Sequence, residues 1–200
     1  MENQSNPEKE IGLGERVLLE LWGVVKLFLV ALAIVLPLRY YIAQPFIVRG
    51  SSMEPNFVNR EYLVVDELTY RFREPQREEA IVLRYPQNPN EYLIKRIIGL
   101  PGEEVEISGG EVKIKNDKHP KGLVLDQPYL ELSRRPTYPN VKIQLGRDEY
   151  FVLGDNRPFS SDSRVWGALP RKFIIGRAVF SVLPLSKFGF ILNFSSANSR

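Results

Sequence analysis

Two adjacent serines, Ser51 and Ser52, stand in the stretch VRGSSMEPN, residues 48–56. A serine hydroxyl is a weak nucleophile and attacks a carbonyl only with a base beside it. Histidine occurs once, as His119 in the polar sequence KNDKHPKG, and reads there as a surface residue; a Ser-His-Asp triad would have to use it. The chain has no cysteine, which excludes disulfides, thiolate metal ligands and a cysteine nucleophile. One histidine also excludes a multi-histidine metal site. Neither H-E-x-x-H nor G-x-x-x-x-G-K-[ST] occurs, so neither metal nor any other cofactor is expected.

The remaining bases are Lys, Asp, Glu and Tyr. A lysine accepts a proton only when neutral, which requires desolvation or a neighbouring positive charge to lower its pKa. Lys95 suits that role because Leu93, Ile94, Ile97 and Ile98 surround it in YLIKRIIG, residues 92–99. Alternation along a strand leaves two orientations open: Lys95 turned inward, or Lys95 in solvent with Ile94 packed inside. A third polar concentration, GDNRPFSSDSRVWG (154–167), follows the apolar YFVL and brings together Asp155, Asn156, Arg157, Ser160, Asp162 and Arg164. It reads either as a surface loop of Asx and Ser turns or as a loop holding site groups on a rigid scaffold. Asp162 and Arg164 are two apart, so on a strand they share a face and can pair.

These residues need a scaffold, and the pattern supplies one. Residues 1–16 form a polar lead-in. VLLELWGVVKLFLVALAIVLPL, residues 17–38, is interrupted only by Glu20 and Lys26. At a rise of about 1.5 Å per residue this run is long enough to cross a hydrocarbon core. Trp22 and Tyr40–Tyr41 are spaced like two interfacial belts, and Lys26 can snorkel from one turn inside. From Gln44 the pattern changes to short β-like runs at 45–50, 61–68, 79–86, 92–99, 149–155 and 176–184. EVEIS-GG-EVKIK, residues 104–115, predicts a hairpin with a two-glycine turn. The expected fold is mainly β: coiled antiparallel sheets behind one transmembrane helix spanning 17–43. The β-rich domain covers 44–185, with a loop-rich insertion at 116–146 and a tail at 186–200. With 27 Lys and Arg against 24 Asp and Glu, the net charge of +3 is too weak to argue for nucleic acid.

Taken together, GSSMEP, KRIIGLPGE and GDNRPFSSDSR, in that order behind an apolar span, resemble the type I signal peptidases. These are membrane-bound Ser–Lys proteases that remove signal peptides from exported preproteins. The resemblance runs from the anchor to about residue 184. It implies that Ser52, immediately before Met53, is the nucleophile and Lys95 the general base. It implies that the Ser160 hydroxyl orients the lysine and that Asp162 and Arg164 brace the loop. Phe46, Val48, Leu93 and Ile94 flank the two catalytic positions and would line shallow apolar pockets for small side chains, as in the family's Ala-x-Ala preference. The family's oxyanion hole uses the nucleophile's own N–H. Some members add a hydroxyl two residues earlier, where this chain has Gly50, so one side-chain donor is missing.

The resemblance also implies a single-pass, monomeric protein of the cell membrane with a cytoplasmic N-terminus and an extracytoplasmic catalytic domain. Its partners would be secretory preproteins and membrane lipid. Two other readings compete. A self-cleaving repressor-type Ser–Lys protease would begin with a soluble DNA-binding segment instead of LFLVALAIVLPL. A catalytically inactive, membrane-anchored β-domain that binds partners would be favoured if Lys95 were charged and exposed.

Overall fold

The computed structural model describes residues 13–37 and 43–191, in two compact units, Met1–Tyr41 and Ile42–Arg200. In the first unit, helix α1 spans Leu13–Pro37. The start lies four residues before the expected one, while Tyr40 and Tyr41 lie outside the described residues. Large apolar side chains such as Leu18, Leu27, Phe28 and Ile34 are exposed around the helix. A helix apolar all round has no stable place in water. Its segment Arg16–Val35 has the length and composition to cross a membrane. Lys26 Nζ lies 5.4 Å from the centre of the Trp22 ring, so this charge rests on an aromatic face one turn away.

The second unit is built of antiparallel strands. In chain order they are β1 (Ala43–Ile47), β2 (Tyr62–Asp66), β3 (Ala80–Tyr85), β4 (Asn88–Gly99), β5 (Glu104–Ser108) and β6 (Glu111–Lys115). There follow β7 (Leu123–Val124), β8 (Val141–Gln144), β9 (Glu149–Leu153), β10 (Leu169–Pro170), β11 (Ile174–Leu183) and β12 (Gly189–Phe190). One sheet has the order β1-β2-β11-β3-β4-β9-β10, with β12 added on β11. The second has the order β7-β6-β5-β8. The hairpin β5–β6 turns at Gly109–Gly110, with Glu104 opposite Lys115 and Ser108 opposite Glu111, in the register expected from the alternation.

Three apolar clusters fill the unit. Val105, Ile107, Val112 and Ile114 of the smaller sheet pack on Ile98, Phe151 and Leu153 of the larger. Ile81, Leu83, Ile97, Tyr150 and Val152 form a second cluster. A third gathers Val48, Met53, Phe57, Leu63, Ala80, Ile94 and Ala178. The stretch 116–146 holds more structure than a loop: β7 and β8 extend the smaller sheet, and Leu125, Tyr129 and Leu130 are buried. Strands this short carry too few alternating residues to stand out between prolines. The expected tail also starts too early, because β12 pairs with β11 through Phe180–Phe190 and Ser181–Gly189.

Candidate active site

Strand β4 decides the orientation that alternation left open. Its first half, from Asn88 to Tyr92, is exposed, while Ile94 to Gly99 are buried without alternation. β3 pairs with β4 from Asn88 to Arg96 and β9 from Arg96 to Gly99. Apolar clusters cover both faces of this half, with Ile97 in one and Ile94 and Ile98 in the others, and Lys95 and Arg96 are each only 2% exposed. The solvent-facing alternative for Lys95 is not the one adopted.

Lys95 Nζ lies 2.7 Å from Ser52 Oγ, although the residues are 43 apart in sequence. Ser52 belongs to the turn that follows β1, whereas its neighbour Ser51 is exposed. Met53, 1% exposed, and Phe57, 2%, anchor this turn in the third cluster. The main chain is held from the other side by Asn156. Its N–H donates to the Ser52 carbonyl at 2.9 Å, and its Nδ2 donates to the Ser51 carbonyl at 3.0 Å. The Ser52 N–H has no acceptor among the described residues. Gly50, two residues earlier, has φ +88°, a region that disfavours a serine there.

Burial pushes the Lys95 pKa down to about 8. The carboxylates of Asp162 and Asp155 pull the other way, and Arg164 adds to the lowering. Neither carboxylate undoes the effect of burial, because each has its own cation. Asp155, fully buried, takes a two-pronged ion pair from Arg96, with Nη2 to Oδ2 at 2.6 Å and Nε to Oδ1 at 2.9 Å. Arg96 also lies 4.1 Å over the Tyr129 ring and donates to the Glu78 carbonyl. Asp162 pairs with Arg164, Nη2 to Oδ2 at 2.7 Å.

The loop after β9 folds back on itself to make these contacts. Asp162 caps the short helix α2 (Ser163–Trp166) by accepting from the Arg164 N–H, and its Oδ2 accepts from the Gly154 N–H at 3.0 Å. The pair with Arg164 thus forms across a helix N-terminus instead of along a strand. Arg164 also donates to the carbonyls of Arg157 and Tyr138. Arg157 donates to Thr137 and Gln127, which fastens the loop to the 116–146 stretch. Ser160 Oγ is buried and has no hydrogen-bond partner among the described residues, so the expected bond to Lys95 is not formed.

Gly154 shows how tightly the parts meet. A Cβ at this position would lie 2.2 Å from Ser160 Oγ and 2.5 Å from the Ser52 carbonyl oxygen. Backbone has to move to accept it, and the backbone in question carries Ser52. A displacement approaching 1 Å at a reacting group lowers turnover on the order of 10²-fold. Gly154→Ala should therefore lose most of its kcat at nearly unchanged substrate KM. Full turnover by Gly154→Ala would mean that Ser52 tolerates the shift.

Of the expected pocket residues, Phe46 and Leu93 line an open groove of about 610 Å3, together with Ile47, Arg49 and Tyr92. Val48 and Ile94 are core residues, 4% and 7% exposed, that reach only a hollow of about 10 Å3 behind the groove. Tyr92 was not foreseen, yet its ring meets Phe46 edge-on at 5.3 Å. Arg96 was also missed as a site residue, and Asn156 was named only as a member of the polar loop. The signal for Arg96 was present: a second cation beside Lys95 in an otherwise apolar strand. His119 sits in the turn between β6 and β7, where its N–H caps back to Asn116.

A serine hydroxyl and a buried amine at hydrogen-bonding distance are groups that can act chemically as nucleophile and base. The family model described as signal peptidase, peptidase S26, matches residues 21–183, and the chain belongs to that family. It is 36% identical to a signal peptidase I of Leptolyngbya laminosa, over 82% of this chain and 81% of the relative. Two probable signal peptidases I of Synechocystis are each 34% identical. The alignments cover 83% of this chain and 75% of one relative, and 90% and 93% for the other.

Proposed function

We propose that this chain is a membrane-anchored endopeptidase that removes signal peptides from exported preproteins, with Ser52 as nucleophile and Lys95 as general base. The observation that carries this reading is the 2.7 Å approach of Lys95 Nζ to Ser52 Oγ at a site where the lysine is 2% exposed. Neutral Lys95 takes the hydroxyl proton as Ser52 Oγ attacks the scissile carbonyl. The free Ser52 N–H is available to the oxyanion, which collapses to an acyl-enzyme as the leaving amine takes the proton from Lys95. Lysine, neutral again, then activates the water that hydrolyses the ester.

The groove fits a substrate of this kind. Among the described residues, strand β1 ends the sheet and pairs only with β2, while β4 before Arg96 pairs only with β3. Both therefore present a free edge, to which an extended peptide adds by backbone hydrogen bonds. Phe46, Ile47, Tyr92 and Leu93 give the groove an apolar wall, beside the polar Arg49, Asn88, Asn90 and Glu91, against which the small side chains of an Ala-x-Ala sequence would lie. In this reading α1 is the anchor and the unit that carries β1 to β12 is the protease domain. Placing that domain on the extracytoplasmic face puts it where preproteins emerge.

The test is to incubate the detergent-solubilised protein with a preprotein carrying an Ala-x-Ala site and to read the products by mass spectrometry. Cleavage after the final Ala is expected. Cleavage elsewhere, or none by folded protein, would refute the substrate class.

The same chemistry fixes a pH dependence. The Lys95 pKa is lowered, so the neutral, competent form grows as pH rises through about 8. Below that point kcat/KM should fall about tenfold per pH unit, and above it should level off. A profile flat from pH 6 to 9 would remove lysine as the base.

A further inference from the structure

The family match ends at residue 183, but the chain does not leave the site there. After β11 a short turn, Leu185–Lys187, leads into β12. This segment is fixed by packing: the Phe180 ring meets Phe188 at 5.0 Å and Phe190 at 5.1 Å, both edge-on. Ile191 donates its N–H to the Val179 carbonyl and packs against the cluster that holds Met53 and Phe57. From this base Lys187 reaches the turn that follows Ser52. Its Nζ donates to the Pro55 carbonyl at 2.7 Å and to the Asn56 carbonyl at 2.8 Å.

The third direction of the ammonium group faces Glu61, whose Oε2 is 3.7 Å away. Glu61 is 1% exposed and is itself committed to the same turn. Its Oε2 accepts from the Val58 N–H at 2.8 Å and its Oε1 from the Ser181 hydroxyl at 2.7 Å. On the opposite side, Asn56 Nδ2 donates to Asp155 Oδ2 and to the Tyr129 carbonyl. Residues 55–58 are thus gripped from two directions. One grip comes from the loop that carries Asp155 and Asn156. The other comes from a C-terminal segment outside the family match.

We propose that Lys187, seated on Glu61, is a positioning residue that latches the turn after Ser52 and thereby aligns Ser52 and its N–H for attack. The proposal rests on Ser52 as the nucleophile. Lysine suits the task because its compact head has three donors, and here two carbonyls and a carboxylate surround it. Ser52 lies three residues before Pro55, so loosening of the turn reaches the nucleophile directly. The groove residues Phe46, Tyr92 and Leu93 lie on other strands and are not touched by Lys187, so substrate binding should be spared.

The experiment compares the full chain in detergent with Lys187→Met, which keeps the apolar stem, and Lys187→Arg, which keeps donors. Cleavage of an Ala-x-Ala peptide and amide hydrogen exchange are measured side by side. For Lys187→Met the expected result is a kcat lower by about 10- to 100-fold with KM within about twofold. Exchange should quicken at Glu54, Phe57 and Val58 and stay as in the wild type in β3 and β4. Lys187→Arg should recover most of the lost kcat.

Unchanged kcat together with unchanged exchange in the turn would overturn the latch. So would a loss of protection spread through β3 and β4, which would make Lys187 a general stabiliser. Faster exchange of Lys187→Met confined to the turn, with a wild type that cleaves no signal peptide, would uphold the latch and refute the proposed substrate class instead.

Discussion

Ser52→Ala and Lys95→Ala should each abolish cleavage of an Ala-x-Ala preprotein and leave the β unit folded. Loss of a nucleophile or its base in hydrolases of this kind lowers turnover on the order of 10⁴- to 10⁶-fold, because the two act as a unit and removing either stops the chemistry. The two variants differ in what else they do. Ser52 is half-buried in a turn held by Met53, Phe57 and Asn156, so removing its hydroxyl leaves the main chain anchored. Lys95 is among the largest fully buried side chains, so truncation to Ala also opens a cavity.

Lys95→Met separates these effects, since it keeps the stem and removes only the amine. Its Tm should equal or exceed that of the wild type, because an ammonium group no longer has to be desolvated on folding. The measurements are cleavage by mass spectrometry and thermal unfolding of all three variants. A Lys95→Met or Lys95→Ala protein that still cleaves would sink the Ser–Lys assignment.

The second large effect is on stability. Arg96→Ala leaves the Asp155 carboxylate, fully buried, without its two-pronged cation. Removing one partner of a buried ion pair costs about 3–5 kcal/mol, since the other charge remains desolvated and alone. Against a total stability of about 5–15 kcal/mol, that is enough to empty much of the native state near body temperature. Arg96→Lys should rescue little, because an ammonium group cannot make both bonds at once to Asp155 while reaching the Glu78 carbonyl.

The double variant Arg96→Met/Asp155→Leu should be more stable than Arg96→Ala, as no buried charge is stranded. Urea unfolding of the three proteins decides the matter. Equal stability of Arg96→Ala and wild type would show that Asp155 reaches water. Asp155 precedes Asn156, which fixes the Ser51 and Ser52 carbonyls, so the ion pair also underlies the placement of Ser52.

The main strands were legible because each carries its own signal. β2, β3, β5, β6 and β9 alternate or run apolar between Gly, Pro and Asn, and β5–β6 announces its turn with two glycines. β7, β8, β10 and β12 were not legible. They are two to four residues long and exist only because a neighbouring strand offers an edge. The pairing of Asp162 with Arg164 was anticipated, but not the local structure that makes it. Their spacing suggested a strand, but Asp162 caps α2, a matter of local backbone that spacing does not encode.

The sequence by itself determined the parts. An apolar run of spanning length, a β-rich remainder, no thiol and a single histidine leave a serine with Lys, Asp, Glu or Tyr as base, and the resemblance points to lysine. Three motifs in order named the family before any fold was known. The resemblance singled out Ser52; only the tertiary structure decided which way Lys95 turns. Lys95 is buried because apolar clusters cover both faces of β4 there, and Ser52 reaches it because Met53 and Phe57 seat its turn in the core while Asn156 and Lys187 hold that turn from elements distant in sequence. Residue types fix which proton transfers are possible. Whether a lysine gives up its proton depends on the water removed from around it, and that is a property of packing.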